Sequence, residues 1–74
     1  MNISTEIKRV RQLSMLSQEE MARELGVSFA TVNRWETGKA KPTYRTLRLI
    51  CNFCEKRGIV SNFDFDNESS YSGR

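Results

Sequence analysis

Few side chains in this 74-residue chain could carry out covalent or metal chemistry. The chain contains no histidine, and its two cysteines, Cys51 and Cys54, form a single C-x-x-C pair. Two thiols without a histidine cannot complete a tetrahedral zinc site or a histidine-dependent catalytic triad. A thioredoxin-like redox motif also needs a neighbouring βαβ pattern, which this sequence lacks. We therefore predict no metal, no cofactor and no enzymatic activity, and we assign both cysteines to core packing.

The charged side chains point to a different kind of chemistry, the binding of a polyanion. The chain carries a net charge of +3. Residues 1–60 hold eleven basic and six acidic side chains, whereas residues 61–74 hold three acidic side chains and one basic. A basic folded region favours a polyanionic partner over a basic one. The sequence has no apolar run long enough to span a membrane, and its first residues lack the features of a signal peptide.

The elements that position these side chains are predicted to be helices. Apolar residues recur every three or four positions between residues 4 and 57, which is typical of an all-α fold. The first helix is predicted from Ser4 or Thr5 to Ser14, with Ile7, Val10 and either Leu13 or Ser14 facing inward. We assign residues 1–60 to one domain and residues 61–74 to a polar, disordered tail or linker.

Capping residues and glycines predict the limits of the other helices. Ser17 and Glu20 have the spacing of a reciprocal capping box, so the second helix is predicted to begin at Gln18 and to stop at Gly26. Ser28 can cap a third helix over residues 29–37, which ends at Gly38. Thr43 can cap a fourth helix that extends to Arg57.

Residues 18–37 satisfy the geometry of a helix-turn-helix. The two helices cross close to their junction, where a small residue is needed, and Ala22 is at that position. The turn needs a left-handed residue, and Gly26 supplies it. The positions that wedge the helices together are apolar, namely Met21, Leu25, Val27, Val32 and Trp35.

The stretches from Leu16 to Ser28 and from Val32 to Pro42 resemble the Cro/repressor-type (XRE, lambda-repressor-like) family of phage and bacterial transcription regulators. The resemblance covers residues 4–57 and implies a compact all-α domain of four to five helices. It also implies a cytoplasmic protein that binds operator DNA, usually as a homodimer, and acts as a repressor, controller or antitoxin-type regulator. In addition, it implies a buried ion pair between Arg11 of the first helix and Glu36 of the third.

A helical wheel of the third helix separates an inward arc from an outward arc that would enter the major groove of double-stranded DNA. Arg34 can bind a guanine through a bidentate fork, and Asn33 can read adenine or contact a phosphate. Phe29 has an alternative role as a cover over Leu25, and Arg34 could instead be a solvated charge. The predicted base-reading residues are Ser28, Phe29, Ala30, Asn33 and Arg34, with Ser28 included mainly as a cap that the family resemblance places near DNA.

A second group of side chains could hold the phosphate backbone. The resemblance gives this role to Gln18, and the others cluster near the end of the third helix and the start of the fourth. Any one of them could equally be a solvated loop residue. The predicted phosphate-contacting residues are Gln18, Thr37, Lys39, Lys41, Thr43 and Arg45.

The fourth helix is predicted to close the core with one apolar stripe and to present a second apolar face. The stripe, Tyr44, Leu47, Ile50, Cys51 and Cys54, would pack against the first and third helices. Leu49 and Phe53 are predicted to face the other way, as a possible partner or dimer surface. A second subunit could cover them, or Ile59, Val60, Phe63 and Phe65 of the same chain. Two other functions stay open, a protein-interaction module and the N-terminal DNA-binding part of a longer protein.

Overall fold

The computed structural model describes residues 2–61 and 63, and within them the chain forms four helices. These are α1 (Ile3–Leu13), α2 (Gln18–Leu25), α3 (Phe29–Thr37) and α4 (Tyr44–Lys56). The predicted all-α class is therefore confirmed. No fifth helix occurs among the described residues. Apart from Ser61 and Phe63, the predicted tail lies outside them.

Polar caps begin the four helices because the first N–H groups of a helix have no partner within it. The Oγ atom of Ser17 accepts a hydrogen bond from the Glu20 N–H at 3.0 Å, and the Ser17 N–H donates to Glu20 Oε1 at 2.8 Å. This reciprocal capping box confirms the predicted start of α2. Helix α1 begins slightly earlier than predicted, because Asn2 caps it by accepting from the Ser4 N–H at 2.8 Å.

The junction between α2 and α3 has the geometry predicted for a helix-turn-helix. Gly26 adopts a φ of 76°, a left-handed conformation that costs a residue with a Cβ atom free energy. The Val27 N–H donates to the Ala22 carbonyl at 2.9 Å, which turns the chain back over the end of α2. Ala22 is buried at this crossing, as predicted.

Helix α3 packs against both α1 and α2, and side chains from all four helices form the core beneath it. Ile7 and Val10 face inward as predicted, but Leu13 is 56% exposed and the inward role considered for it is wrong. Leu13 is the last residue of α1. Ser14 is half-buried instead, and its hydroxyl donates to the Val10 carbonyl at 2.8 Å. The buried apolar residues are Ile7, Val10, Met21, Ala22, Leu25, Val32, Trp35, Leu47, Ile50, Phe53 and Cys54.

The orientation of α4 corrects one prediction. Helix α4 packs against α2, and its buried residues Leu47, Ile50 and Cys54 belong to the same core cluster as residues of α1 and α3. Phe53 is buried, with 5% of its surface exposed, so the prediction that it faces away from the core is wrong. Three helical positions place Phe53 only about 60° from Ile50 at 100° per residue. The guanidinium of Arg57 covers the Phe53 ring at 4.0 Å and forms an ion pair with Glu24 of α2 at 3.3 Å.

The segment after α4 folds back over the core. Ile59 and Phe63 pack against it, whereas Val60 is exposed; Phe65 lies outside the described residues. Arg9 Nη2 donates to the Val60 carbonyl at 2.9 Å. Two further bonds, at 2.9 and 2.7 Å, join the same guanidinium to the fully buried carboxylate of Glu6. Two covers were considered for the second apolar face of α4, a second subunit and this segment of the same chain, and Ile59 and Phe63 of the segment pack against the core that includes Phe53.

The C-x-x-C pair lies in the middle of α4. Cys54 is part of the core, and Cys51 is half-buried. Burial raises the pKa of the Cys54 thiol, and the neighbouring Cys51 adds to this effect. A thiol with a raised pKa is a poor nucleophile, which agrees with a packing role for Cys54.

Candidate nucleic-acid interface

The outward face of α3 presents a mixed apolar and cationic surface. Ala30 and Arg34 are exposed, and Phe29 is 50% exposed, so Phe29 does not pack fully over Leu25. Val32 and Trp35 are buried on the opposite side and fix the rotation of the helix about its axis. Ser28, which caps α3, is also exposed. The face combines a guanidinium with apolar groups, the types of group that contact guanine and the thymine methyl.

A nearly buried ion pair holds α3 against α1. Arg11 Nε donates to Glu36 Oε2 at 2.7 Å, and Arg11 Nη2 donates to Glu36 Oε1 at 3.0 Å. Only 15% of the Arg11 side chain and 4% of the Glu36 side chain are exposed. Arg11 Nη1 also donates to the Leu16 carbonyl at 2.9 Å. The hydrogen bonds to Glu36 raise the pKa of Arg11 further above its already high ordinary value, so the guanidinium stays charged.

Gln18 continues this hydrogen-bond network from the ion pair to Asn33 of α3. Its Nε2 atom donates to Glu36 Oε1 at 3.0 Å, and its Oε1 atom accepts from Asn33 Nδ2 at 3.2 Å. Both Gln18 and Asn33 are half-buried. For phosphate binding, Gln18 keeps one side-chain N–H and the backbone N–H of the first residue of α2. A residue predicted to hold phosphate is thus also bonded to a residue predicted to read a base.

Three hydroxyl groups in the predicted site are already engaged within the chain. Ser28 Oγ accepts from the Thr31 N–H at 3.1 Å, and Thr43 Oγ1 accepts from the Thr46 N–H at 3.2 Å. Both residues therefore cap their helices. The Thr37 hydroxyl lies 3.0 Å from the Asn33 carbonyl, to which it donates. To donate to a phosphate, the Thr37 hydroxyl must first give up this bond.

Three exposed cations lie just beyond the end of α3, in the turn and first helical residues that follow it. Lys39 and Lys41 belong to the connection between α3 and α4, and Arg45 lies in the first turn of α4. None of the three forms an ion pair with another described residue. Their charge adds to that of Arg34, while the single acidic side chain of α3, Glu36, is neutralised by Arg11. The outward face of α3 therefore has positive charge at the side where α4 begins.

Residues 2–61 and 63 contain neither a metal-ligand cluster nor a membrane-spanning helix. No group of three or more cysteine, aspartate or glutamate side chains there lies close enough to hold a metal ion. Among the same residues, no helix is long and apolar enough to cross a membrane.

The outward face of α3 was predicted from the sequence, but the hydrogen bonds that link Glu36, Gln18 and Asn33 beneath it were not. The bonds from Glu36 to Gln18 and from Gln18 to Asn33 join residues 18 and 15 positions apart, and no periodicity marks them. Glu6 was also missed as a buried carboxylate. Its one sequence signal is Arg9, three positions later on the same helix, at the spacing of an i,i+3 ion pair.

Comparisons with known proteins agree with this architecture. A family model described as helix-turn-helix matches residues 7–58. The chain is 41% identical over 46 residues to the uncharacterized HTH-type transcriptional regulator YiaG of Escherichia coli strain K12, covering 62% of this chain and 48% of that protein. It is 32% identical over 53 residues to the HTH-type transcriptional activator BcrR of Enterococcus faecalis, covering 72% of this chain and 26% of that protein.

A third relative belongs to a different class of protein. The chain is 38% identical over 55 residues to the type II methyltransferase M.SsoII of Shigella sonnei, covering 70% of this chain and 14% of that protein. In all three cases the match spans less than half of the relative. No solved structure gave a significant match to the chain.

Proposed function

Because the chain belongs to the XRE-type helix-turn-helix family, we propose that it binds double-stranded DNA sequence-specifically and regulates transcription, with α3 in the major groove. Two relatives bear the names of transcriptional regulators, which supports this function. The observation that carries the proposal is the outward face of α3, where exposed Arg34 and Ala30 lie beside a cationic edge. The protein acts by occupying its DNA site, without catalysis.

The roles of the side chains follow from their chemistry and exposure. Arg34 is exposed, so its guanidinium is available to bind the O6 and N7 atoms of guanine together. Phe29 and Ala30 contact thymine methyl groups, and Asn33 reads adenine. Lys39, Lys41 and Arg45 bind phosphates, and the backbone amides at the start of α4 add positive potential there. Thr37 and Thr43, whose hydroxyls are engaged within the chain, contribute less than these cations.

Selection from a random duplex library by the purified chain, at two salt concentrations, tests the function. We expect an enriched sequence motif. An inverted repeat would additionally identify a dimer, because two-fold symmetric proteins read half-sites about one helical turn apart. Absence of any enriched motif, together with strongly salt-dependent retention of all duplexes, would contradict sequence-specific binding.

The role of Arg34 has its own test. The variant Arg34→Ala should lose about 1–3 kcal/mol of discrimination at one base pair of the selected site, with the fold intact. Lys8→Ala is the matched control, because Lys8 is an exposed cation on α1 and its loss changes the net charge equally. Equal weakening on all sequences by Arg34→Ala would make Arg34 a phosphate contact instead.

A second candidate role is that of a DNA-binding module within a longer protein. The observation that favours it is the small share of BcrR and of the methyltransferase that this chain matches. A module of this kind would select the same DNA motif alone and as part of the longer chain.

Leu49 remains an exposed apolar residue on α4, where a second copy of the chain or another protein could bind. Size-exclusion chromatography with light scattering, on wild type and Leu49→Ala, tests the dimer.

A further inference from the structure

We infer that the buried Arg11–Glu36 pair sets the hydrogen-bonding pattern that α3 presents to DNA. Gln18 is the positioning residue, because it is bonded to Glu36 on one side and to Asn33 on the other. In this arrangement Gln18 fixes the orientation of the Asn33 amide and thereby the base preference of Asn33. The inference rests on the proposed function, since it concerns how a DNA-reading residue is oriented.

The first step is the orientation of the Gln18 amide. A side-chain amide has one end that donates and one that accepts, and rotation by 180° exchanges them. The Glu36 carboxylate, which forms an ion pair with Arg11 at 2.7 Å, only accepts hydrogen bonds. Gln18 must therefore direct its Nε2 atom towards Glu36, where it lies 3.0 Å from Oε1. Hydrogen bonds to a charged group are stronger than neutral ones, so this orientation is well determined.

The second step transfers this orientation to α3. With Nε2 committed to Glu36, the Oε1 atom of Gln18 faces Asn33 and can only accept. Asn33 consequently directs its Nδ2 atom towards Gln18, at a distance of 3.2 Å. Its Oδ1 atom and one remaining N–H are then the groups left for a ligand.

The third step is the match to a base edge. In the major groove, adenine presents an acceptor at N7 beside a donor at N6, which pairs with the one donor and one acceptor of an asparagine amide. A fixed amide offers these groups in a single order along the groove. Without Gln18, the Asn33 amide can rotate and offer them in either order, so it discriminates less between base pairs.

This role for Gln18 differs measurably from that of a phosphate contact. Loss of a phosphate contact weakens binding to all sequences about equally. Loss of a positioning residue instead reduces the preference at one base pair, the same one that Asn33 reads. The two roles can coexist, because Gln18 keeps a side-chain N–H and its backbone N–H, but only the positioning role predicts a position-specific effect.

The experiment compares wild type, Asn33→Ala, Gln18→Ala and the double variant by competition binding against a set of duplexes. The set contains the selected site and all single-base changes in it. Lys41→Ala is the control for a phosphate contact. Urea unfolding of each variant verifies that it is folded under the binding conditions.

We expect Asn33→Ala to abolish a preference of about tenfold at one base pair, within the range that a single amide–base contact supplies. Gln18→Ala should remove most of the same preference, and the double variant should lose no more than Asn33→Ala alone. Lys41→Ala should weaken all duplexes alike.

Three results would overturn the inference, and they are distinguishable. If wild type selects no sequence, the proposed function fails and the inference fails with it. If wild type is specific but Asn33→Ala changes no base preference, Asn33 does not read a base. If Asn33→Ala removes a preference that Gln18→Ala leaves intact, Gln18 does not position Asn33, and the proposed function still stands.

Discussion

Removal of the Arg11 charge should destabilise the fold strongly, because it leaves the Glu36 carboxylate nearly buried without its cation. The side chain of Glu36 is 4% exposed and loses two hydrogen bonds in the variant Arg11→Met, while the Leu16 carbonyl loses another. Breaking one partner of a buried pair costs about 3–5 kcal/mol. Gln18 still donates to Glu36, so we expect a loss near the lower end, about 3 kcal/mol. Methionine retains an apolar stem, which limits the loss of packing in the variant.

The predicted loss is large relative to the stability of so small a domain. At about 0.05–0.15 kcal/mol per residue, 74 residues have a free energy of unfolding of roughly 4–11 kcal/mol. For a domain of this size, 1 kcal/mol changes Tm by about 4–8 °C, so the variant should melt about 12–24 °C below wild type. Urea unfolding and thermal unfolding followed by circular dichroism measure both quantities.

A double-mutant cycle separates the stranded charge from the lost contacts. Adding Glu36→Gln to Arg11→Met removes the remaining charge, so the double variant should be more stable than Arg11→Met alone. In the wild-type background the same Glu36→Gln change should be destabilising. Lys8→Met is the control for loss of an exposed cation on α1, with an effect within about 0.5 kcal/mol.

Two outcomes would refute the reasoning. One is an Arg11→Met variant no less stable than Lys8→Met. The other is a double variant less stable than Arg11→Met, which would mean that the Glu36 charge itself is not the source of the loss.

The remaining predictions concern acid stability, backbone strain and the packing of α4. Hydrogen bonds from the backbone and side chain of the residue that caps α2 lower the pKa of Glu20 below its ordinary value of about 4.5. Its charge therefore stabilises the fold above that value, and the benefit is lost as the pH falls through the lower pKa of the folded state. Wild type should accordingly lose more stability than Glu20→Gln in urea unfolding below pH 4.5, and parallel pH profiles would contradict this. Met15 is 89% exposed and has a φ of 58°, so Met15→Gly should not destabilise the protein and should raise its stability by up to about 1 kcal/mol. Gly26→Ala should lower stability by about 1–2 kcal/mol, although no atom lies within 4 Å of the added Cβ, because the cost is conformational. Thermal unfolding measures both variants, and a lower Tm for Met15→Gly or an unchanged Tm for Gly26→Ala would contradict the strain argument. Phe53→Ala should cost about 3–5 kcal/mol, as expected for a core aromatic residue, whereas Leu49→Ala should cost far less; similar losses in urea unfolding would show that the two residues are equally buried.

Local features of the sequence determined where the helices begin and end. The Ser17 and Glu20 pair and the left-handed Gly26 act within a few residues, so their geometry follows from the residue types alone. The inward side of α3 followed in the same way from the three-residue spacing of Val32 and Trp35. The outward set that would face DNA is the complement of this side, so it was available from the sequence too.

Tertiary packing decided what helical spacing left open. Phe53 was placed wrongly, and the sequence left open whether Leu13 or Ser14 faces inward, because a helical wheel gives the angle of a side chain but not which neighbouring helix lies at that angle. Phe53 is buried because α4 packs on α2 and Arg57 covers the ring from above.

The polar network also depends on the tertiary structure. The family resemblance implied the pairing of Arg11 with Glu36, but the continuation through Gln18 to Asn33 depends on three helices meeting within hydrogen-bond distance. From the sequence, Arg11 and Glu36 were predicted to form an ion pair, Gln18 to contact a phosphate and Asn33 to read a base, as three separate roles. Hydrogen bonds act only over about 3 Å and depend on direction, so only the folded chain decides that the four side chains form one connected set.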